Sequence, residues 1–367
     1  MKKLVLFLLI AISVVSCKNL KFTISGSVDQ KELNGKNVFI KERINREWIT
    51  IDSAVVENQK FAFKGVADTA KIAYIFYEFP ANKKNRRAFI LEGGDITVSV
   101  DTTNFMTIKG TPQNDLLQVY QNDKNTFTIK AETYYKTYKD SAKTPEQKVS
   151  FDTEIQKLNL EEVSIDKKFA TDHINTLAGI FAFTNSFYGF SLAEKQAIVA
   201  LMNVETKKVP RIQEIIADME IEKRVEIGQQ YIDVKLPMVN GDSLALSSLI
   251  GKTDYVLIDF WASWCGPCMQ FLPDLQAFYA KYKGTKFEIF GVSLDDSKEA
   301  WTGAITTHKI CWKLVSDLKG WKCVGSRAYA VNSIPTTVLI DKTGKIVGKN
   351  LAISELEKFL TGQSNKK

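Results

Sequence analysis

Val256-Leu257-Ile258-Asp259-Phe260-Trp261-Ala262-Ser263-Trp264-Cys265-Gly266-Pro267-Cys268 carries an apolar, strand-like run straight into two cysteines separated by two residues. The Gly-Pro pair punctuates a turn, and Met269-Gln270-Phe271-Leu272-Pro273-Asp274-Leu275 beyond it reads as a helix, so Cys265 is expected at a strand-to-helix junction. At such a junction, the unpaired N–H groups and the positive end of the helix dipole stabilise a thiolate. Cys265 is therefore expected to be the attacking nucleophile. Cys268, one turn further in, is expected to resolve the mixed disulfide.

The same residues resemble the active-site strand and turn of the thioredoxin superfamily, and Trp264-Cys265-Gly266-Pro267-Cys268 matches thioredoxin's motif residue for residue. More narrowly, Gly228 to Leu360 resembles the TlpA/ResA-like thiol:disulfide oxidoreductases, a group kept alongside the peroxiredoxin-related AhpC/TSA proteins. The matching pieces, in order, are Asn240-Gly241-Asp242-Ser243-Leu244-Ala245-Leu246, Phe260-Trp261-Ala262-Ser263-Trp264, Gly291-Val292-Ser293-Leu294-Asp295 and Ser333-Ile334-Pro335-Thr336-Thr337. The resemblance implies an α/β thioredoxin-like domain with a central mixed sheet flanked by helices. It also implies substrate binding at Trp264, Gly266, Pro267, Ile334 and Pro335.

Asp259 falls where thioredoxin carries a buried aspartate. Burial raises a carboxyl pKa, which would let Asp259 relay a proton to or from Cys268. Many envelope relatives instead carry a glutamate shortly after the second cysteine; here that neighbourhood reads Met269-Gln270-Phe271. The superfamily's corresponding proline is cis and faces the disulfide, so Ile334-Pro335 is expected to be a cis bond. Lacking an N–H, Pro335 leaves the preceding backbone free to pair with an incoming peptide.

Paired cysteines two apart also serve as zinc ligands, but Cys311 and Cys323 do not repeat the short knuckle that would complete four thiolates. No metal and no cofactor are expected beyond the Cys265–Cys268 dithiol. A thiol peroxidase of the AhpC/TSA type is an alternative, weakened because peroxiredoxins use a Pro-x-x-x-Thr-x-x-Cys loop and Trp261 to Cys265 supplies no threonine. A binding protein using the fold as a scaffold is another, opposed by the intact cysteine pair. Cys311 and Cys323 themselves fit either a structural disulfide, as an oxidising compartment favours, or two separately buried thiols.

Met1-Lys2-Lys3 is a basic leader, Leu4 to Val15 is apolar, and Val14-Val15-Ser16-Cys17 resembles a bacterial lipobox. The run is shorter than the roughly 20 residues of a membrane span. Cleavage before Cys17 and acylation of its thiol would leave a lipid-anchored protein facing the periplasm from the cell envelope. The resemblance implies protein disulfides as substrates and a membrane electron donor of the DsbD or CcdA kind, with cytochrome c maturation as one client pathway.

The chain's 367 residues are 45% hydrophobic and 25% charged, an ordinary globular balance with room for several domains. The net charge of +7 is spread along the chain, and no nucleic-acid-binding signature accompanies it. Its densest cluster, Lys83-Lys84-Asn85-Arg86-Arg87, reads as a solvated hairpin. From Phe22 to Gly110 short alternating runs predict an antiparallel β domain, whose opening resembles a domain of unknown function found before thioredoxin-like modules in envelope lipoproteins. Thr111-Pro112 starts a helical region with breaks near Thr144-Pro145 and Pro210. Ile180, Phe181, Phe183, Phe187 and Tyr188 are expected to pack; His173 and His308 show no ligand pairing. The expected division is 1–17 signal peptide and lipobox, 18–110 β domain, 111–226 helical region and 227–367 thioredoxin-like domain.

Overall fold

A computed structural model describes residues 19–44, 47–77, 86–138 and 144–362. The leader, with Cys17 and the lipobox, lies outside the described residues, as do Lys83, Lys84 and Asn85. No helix among the described residues is long and apolar enough to cross a membrane. The chain forms two compact units, divided between Val209 and Pro210.

The first unit opens with β1 (Leu20–Val28), β2 (Asn37–Ile44), β3 (Glu47–Val55), β4 (Lys60–Ala67), β5 (Lys71–Tyr77), β6 (Arg86–Leu91), β7 (Gly94–Val100) and β8 (Met106–Lys109). They make two four-stranded sheets, ordered β4-β1-β7-β8 and β3-β2-β5-β6. Pairing is antiparallel except between β1 and β7, which run parallel. Alternation buries every second residue, such as Ile24, Val98, Ile40 and Ile75, in one shared apolar core. The basic cluster is not simply a solvated hairpin. Arg86 and Arg87 begin β6, and Arg87 lies over the Phe105 ring while its Nε donates to Gln121, so that burial lowers its pKa to about 10.

Helices α1 (Pro112–Tyr138), α2 (Pro145–His173), α3 (Leu177–Ser186), α4 (Leu192–Ala200) and α5 (Val204–Lys208) complete this unit. Breaks absent from the sequence reading occur at Thr176, Ser191 and Asn203, each of which caps the following helix by accepting an N–H. Ile180, Phe181, Phe183 and Phe187 are buried, but Tyr188 is exposed. The predicted helical stretch is divided between the units, because α6 (Pro210–Arg224) belongs to the second.

That unit continues with β9 (Lys235–Pro237), β10 (Ser243–Ala245), β11 (Tyr255–Trp261), α7 (Gly266–Tyr282), β12 (Phe287–Ser293), α8 (Lys298–Thr307), β13 (Lys313–Val315), α9 (Val324–Ala328), β14 (Thr336–Asp341), β15 (Ile346–Lys349) and α10 (Ile353–Leu360). A short β9–β10 hairpin precedes a five-stranded mixed sheet in the order β13-β12-β11-β14-β15. The three strands β11, β12 and β13 are parallel, whereas β14 is antiparallel to β11. The central strand is apolar apart from Asp259 because both its faces are covered, and Val256 to Trp261 are all buried. The register sets Trp261 beside Ser293 and Phe260 beside Thr336. The ends of β11 and β12 and the start of β14 therefore meet at one end of the sheet, where loops can converge.

Candidate active site

Cys265 is the N-cap of α7, with φ −85° and ψ 95°, and Pro267 occupies the first turn. Proline fits there because its missing N–H is one the helix would leave unpaired. Cys265 and Cys268 are joined by a disulfide, their Cα atoms 5.2 Å apart. The Cys268 N–H donates to Cys265 Sγ at 3.1 Å, so the helix end presents a donor to that sulfur. Both cysteines are buried in the disulfide form, at 3% and 5% exposure, so burial does not distinguish them. Their surroundings differ instead. Cys268, and not Cys265, lines a crevice with Asp259, Trp261, Leu272, Trp312 and Pro335.

Asp259 is 5% exposed, and burial alone pushes its carboxyl up to about 7. A water-facing strand position is thereby rejected. Its register neighbours are Gly291 on β12 and Thr337 on β14. A Cβ on Gly291 would lie 2.6 Å from the Leu314 side chain and 3.0 Å from the Trp312 indole nitrogen. The bare backbone at 291 thus admits Trp312 to the crevice wall.

Ile334-Pro335 is a cis peptide, and Pro335 is exposed at the crevice mouth. Gly266 and Pro267 are exposed beside the disulfide, Ile334 is half-buried, and Trp264 is 54% exposed. All the predicted site residues from Asp259 to Pro335 therefore gather at the same end of the sheet. Cys311 and Cys323 are both free, the former exposed and the latter buried, so they form no bridge and the expected burial of Cys311 is corrected. Among the described residues, no group of three or more His, Cys, Asp or Glu side chains is arranged to hold a metal.

Two residues with no assigned role in the sequence reading belong to this end as well. Asp295, 1% exposed, accepts the Ser263 hydroxyl at Oδ1 at 2.5 Å, and its Oδ2 accepts the Ser263 N–H at 3.1 Å and the Ser293 hydroxyl at 2.6 Å. It ties the turn before the cysteines to the end of β12. Trp321 places its ring 6.1 Å from that of Trp264 at an interplanar angle of 51°. Asp295 was legible only as part of a family-like segment, and Trp321 carried no local signal.

Residues 227–349 match the AhpC/TSA family, and residues 22–117 match a domain of unknown function, DUF4369. The chain is 32% identical over 137 residues to the thiol-disulfide oxidoreductase ResA of Bacillus cereus (strain ZK / E33L), covering 37% of this chain and 75% of that protein. It is 30% identical over 125 residues to the thioredoxin-like protein YneN of Bacillus subtilis (strain 168), covering 33% and 69%. A solved thiol-disulfide oxidoreductase from Bacteroides fragilis NCTC 9343 is 31% identical, with 37% of this chain and 99% of that chain covered and a TM-score of 0.35. A cysteine pair bridged at a helix N-terminus, set in a thioredoxin-like sheet and matched over three quarters of a ResA protein, leads to one conclusion: the chain belongs to the ResA-like thiol-disulfide oxidoreductases.

Proposed function

We propose that this oxidoreductase reduces protein disulfides at the cell envelope, with Cys265 as nucleophile, Cys268 as resolving thiol and Asp259 as proton relay. The asymmetry around the two sulfurs is the observation that carries the reading. Cys265 Sγ receives a helix-terminal N–H, whereas Cys268 shares its crevice with a carboxyl whose pKa is about 7.

In the reduced protein, the Cys265 thiolate attacks one sulfur of the substrate disulfide. The substrate S–S bond breaks, a mixed disulfide forms, and the first substrate thiolate leaves and takes up a proton. Cys268 then gives its proton to the Asp259 carboxylate and attacks Cys265 Sγ. The second substrate thiolate departs, takes up the proton that Asp259 gives back, and the Cys265–Cys268 disulfide remains, two electrons having passed from the dithiol to the substrate. Trp264, Gly266, Pro267, Ile334 and Pro335 border the path, and Pro335 leaves the preceding backbone free to pair with an extended substrate.

A dithiol donor of the DsbD or CcdA kind would return the two electrons, with lipidation at Cys17 holding the enzyme near it and cytochrome c maturation among its client pathways. The dithiol itself serves as the redox group, with no further cofactor. The Gly-Pro dipeptide between the cysteines supports reduction over oxidation, since thioredoxin sits at about −270 mV and strong oxidants at about −120 mV. Equilibration against glutathione or dithiothreitol buffers tests this. A potential on the thioredoxin side supports a reductase, whereas one near the strong oxidants overturns it.

A further inference from the structure

We propose that Trp321 and Trp264 together form the docking surface for the polypeptide that flanks a substrate's disulfide, gripping an apolar side chain next to the cystine. The inference rests on the reading of this site as a protein-disulfide reductase and assigns Trp321 a part in it. The two indoles, 57 positions apart in the chain, meet at a centroid distance of 6.1 Å while remaining 54% and 42% exposed. Val324, 54% exposed, follows Trp321 closely in sequence and adds to the apolar character of its loop. An exposed tryptophan leaves a large apolar area in water, and tryptophan is among the side chains that most often anchor a partner.

The loop carrying Trp321 is built to hold it there. Leu318 and Gly320 both adopt positive φ, 53° and 54°, a conformation that costs a residue with a side chain such as leucine about 1 kcal/mol or more. The Asp317 carboxylate accepts the N–H groups of Lys319 at 3.3 Å and Val324 at 3.0 Å. The Gly320 N–H reaches the Asp295 carbonyl at 3.4 Å, while the Asp295 carboxylate holds Ser263, the residue before Trp264. One buried residue thus fixes the backbone beside both indoles. Such preorganisation lowers the ordering cost of binding.

The position selects the occupant. Trp264 directly precedes Cys265, so the aromatic surface begins at the reactive sulfur and extends away from it. A polypeptide running on from its cystine would cover both rings, whereas a disulfide with no chain attached reaches the sulfur without meeting Trp321.

The test compares the full-length protein with its Trp321→Ala and Trp321→Phe variants, using insulin as the protein disulfide and hydroxyethyl disulfide as the small one. Dithiothreitol supplies the two electrons of each turnover. Trp321→Ala should lower the ratio of kcat/KM for insulin to that for hydroxyethyl disulfide by about fivefold, mainly through KM for insulin. Trp321→Phe, which keeps an aromatic face, should restore most of the ratio. An unchanged ratio in Trp321→Ala, with wild-type protein reducing insulin, overturns the docking role and leaves the reductase reading standing. A wild type that reduces neither disulfide overturns that reading and this proposal with it. A wild-type dimer that becomes monomeric in Trp321→Ala with unchanged insulin kinetics would give the surface to a second copy and likewise overturn the proposal.

Discussion

Asp259→Asn tests the buried carboxyl through stability and through chemistry at once. In the oxidised protein, burial raises its pKa from 3.8 to about 7. At about 1.4 kcal/mol for each tenfold change in proton affinity, holding the carboxylate inside the fold costs roughly 4 kcal/mol. The native state binds this proton more tightly than the unfolded chain does. Wild-type protein therefore bears no penalty below about pH 4, loses stability as pH rises to about 7, and is level above it. Asparagine keeps the shape and has no proton to release, so the stability of the variant relative to wild type should grow by roughly 4 kcal/mol between about pH 4 and about pH 8.

Denaturant unfolding of the oxidised full-length chain, followed by tryptophan fluorescence, reads this directly. Of the six tryptophans, Trp261, Trp264, Trp301, Trp312 and Trp321 lie in the second unit, so the signal follows the unit that holds Asp259. Subtracting the variant at each pH cancels the other titrating groups. The same substitution should slow release of the second substrate thiol at neutral pH by about tenfold or more, with the deficit shrinking as pH rises and hydroxide takes over the proton transfer. A stability difference that stays flat across the range would refute the buried-acid argument, and a flat difference in rate would remove the relay.

Iodoacetamide applied to the reduced protein near neutral pH should label Cys265 before Cys268, and Cys268→Ala should accumulate mixed disulfides with substrate; first labelling of Cys268 would reverse the two roles. With Cys265 and Cys268 both replaced by alanine, non-reducing peptide mapping should find Cys311 and Cys323 as two free thiols. Cys311 should be alkylated in the native state and Cys323 only on unfolding, in keeping with their exposure. Phe290, fully buried on β12, should cost about 3–5 kcal/mol when replaced by alanine, and a loss below about 1 kcal/mol would mean that this part of the sheet relaxes into the space.

The reactive part of the site was legible because its chemistry is local. A buried strand, a two-residue turn and a helix start are all written within Val256 to Leu275, and each has its own signature: apolar continuity, Gly-Pro, and a cysteine at the cap. Asp259 was legible through its match to thioredoxin's buried aspartate, since an acid in an apolar strand can equally stand at a water-facing position; its burial decides between the two. The helical region was less so. Its capping residues Thr176, Ser191 and Asn203 sit among many similar polar residues, and only the tertiary fold decides which of them ends a helix. The parallel pairing of β1 with β7 was illegible because alternation fixes which face a residue takes and says nothing of its neighbour's direction.

The walls of the site depend on topology, and this explains why Trp321 and Asp295 carry no signal of their own. Because β11, β12 and β13 run parallel, the loops leaving their C-terminal ends emerge on one side; because β14 runs against β11, its beginning, with Pro335, emerges on that side too. A residue in any of these loops becomes a neighbour of the disulfide whatever its distance along the chain. Asp295, two positions beyond β12, reads in isolation as a strand-end acid, and Trp321 as a loop aromatic. Only once the strand order is known do they become the anchor of the turn before Cys265 and the partner of Trp264. The two cysteines supply exchange chemistry that any accessible disulfide can enter. Which disulfides are preferred then depends on the loops that sheet order brings beside them, so selectivity should respond to changes at Trp321 while the proton chemistry responds to changes at Asp259.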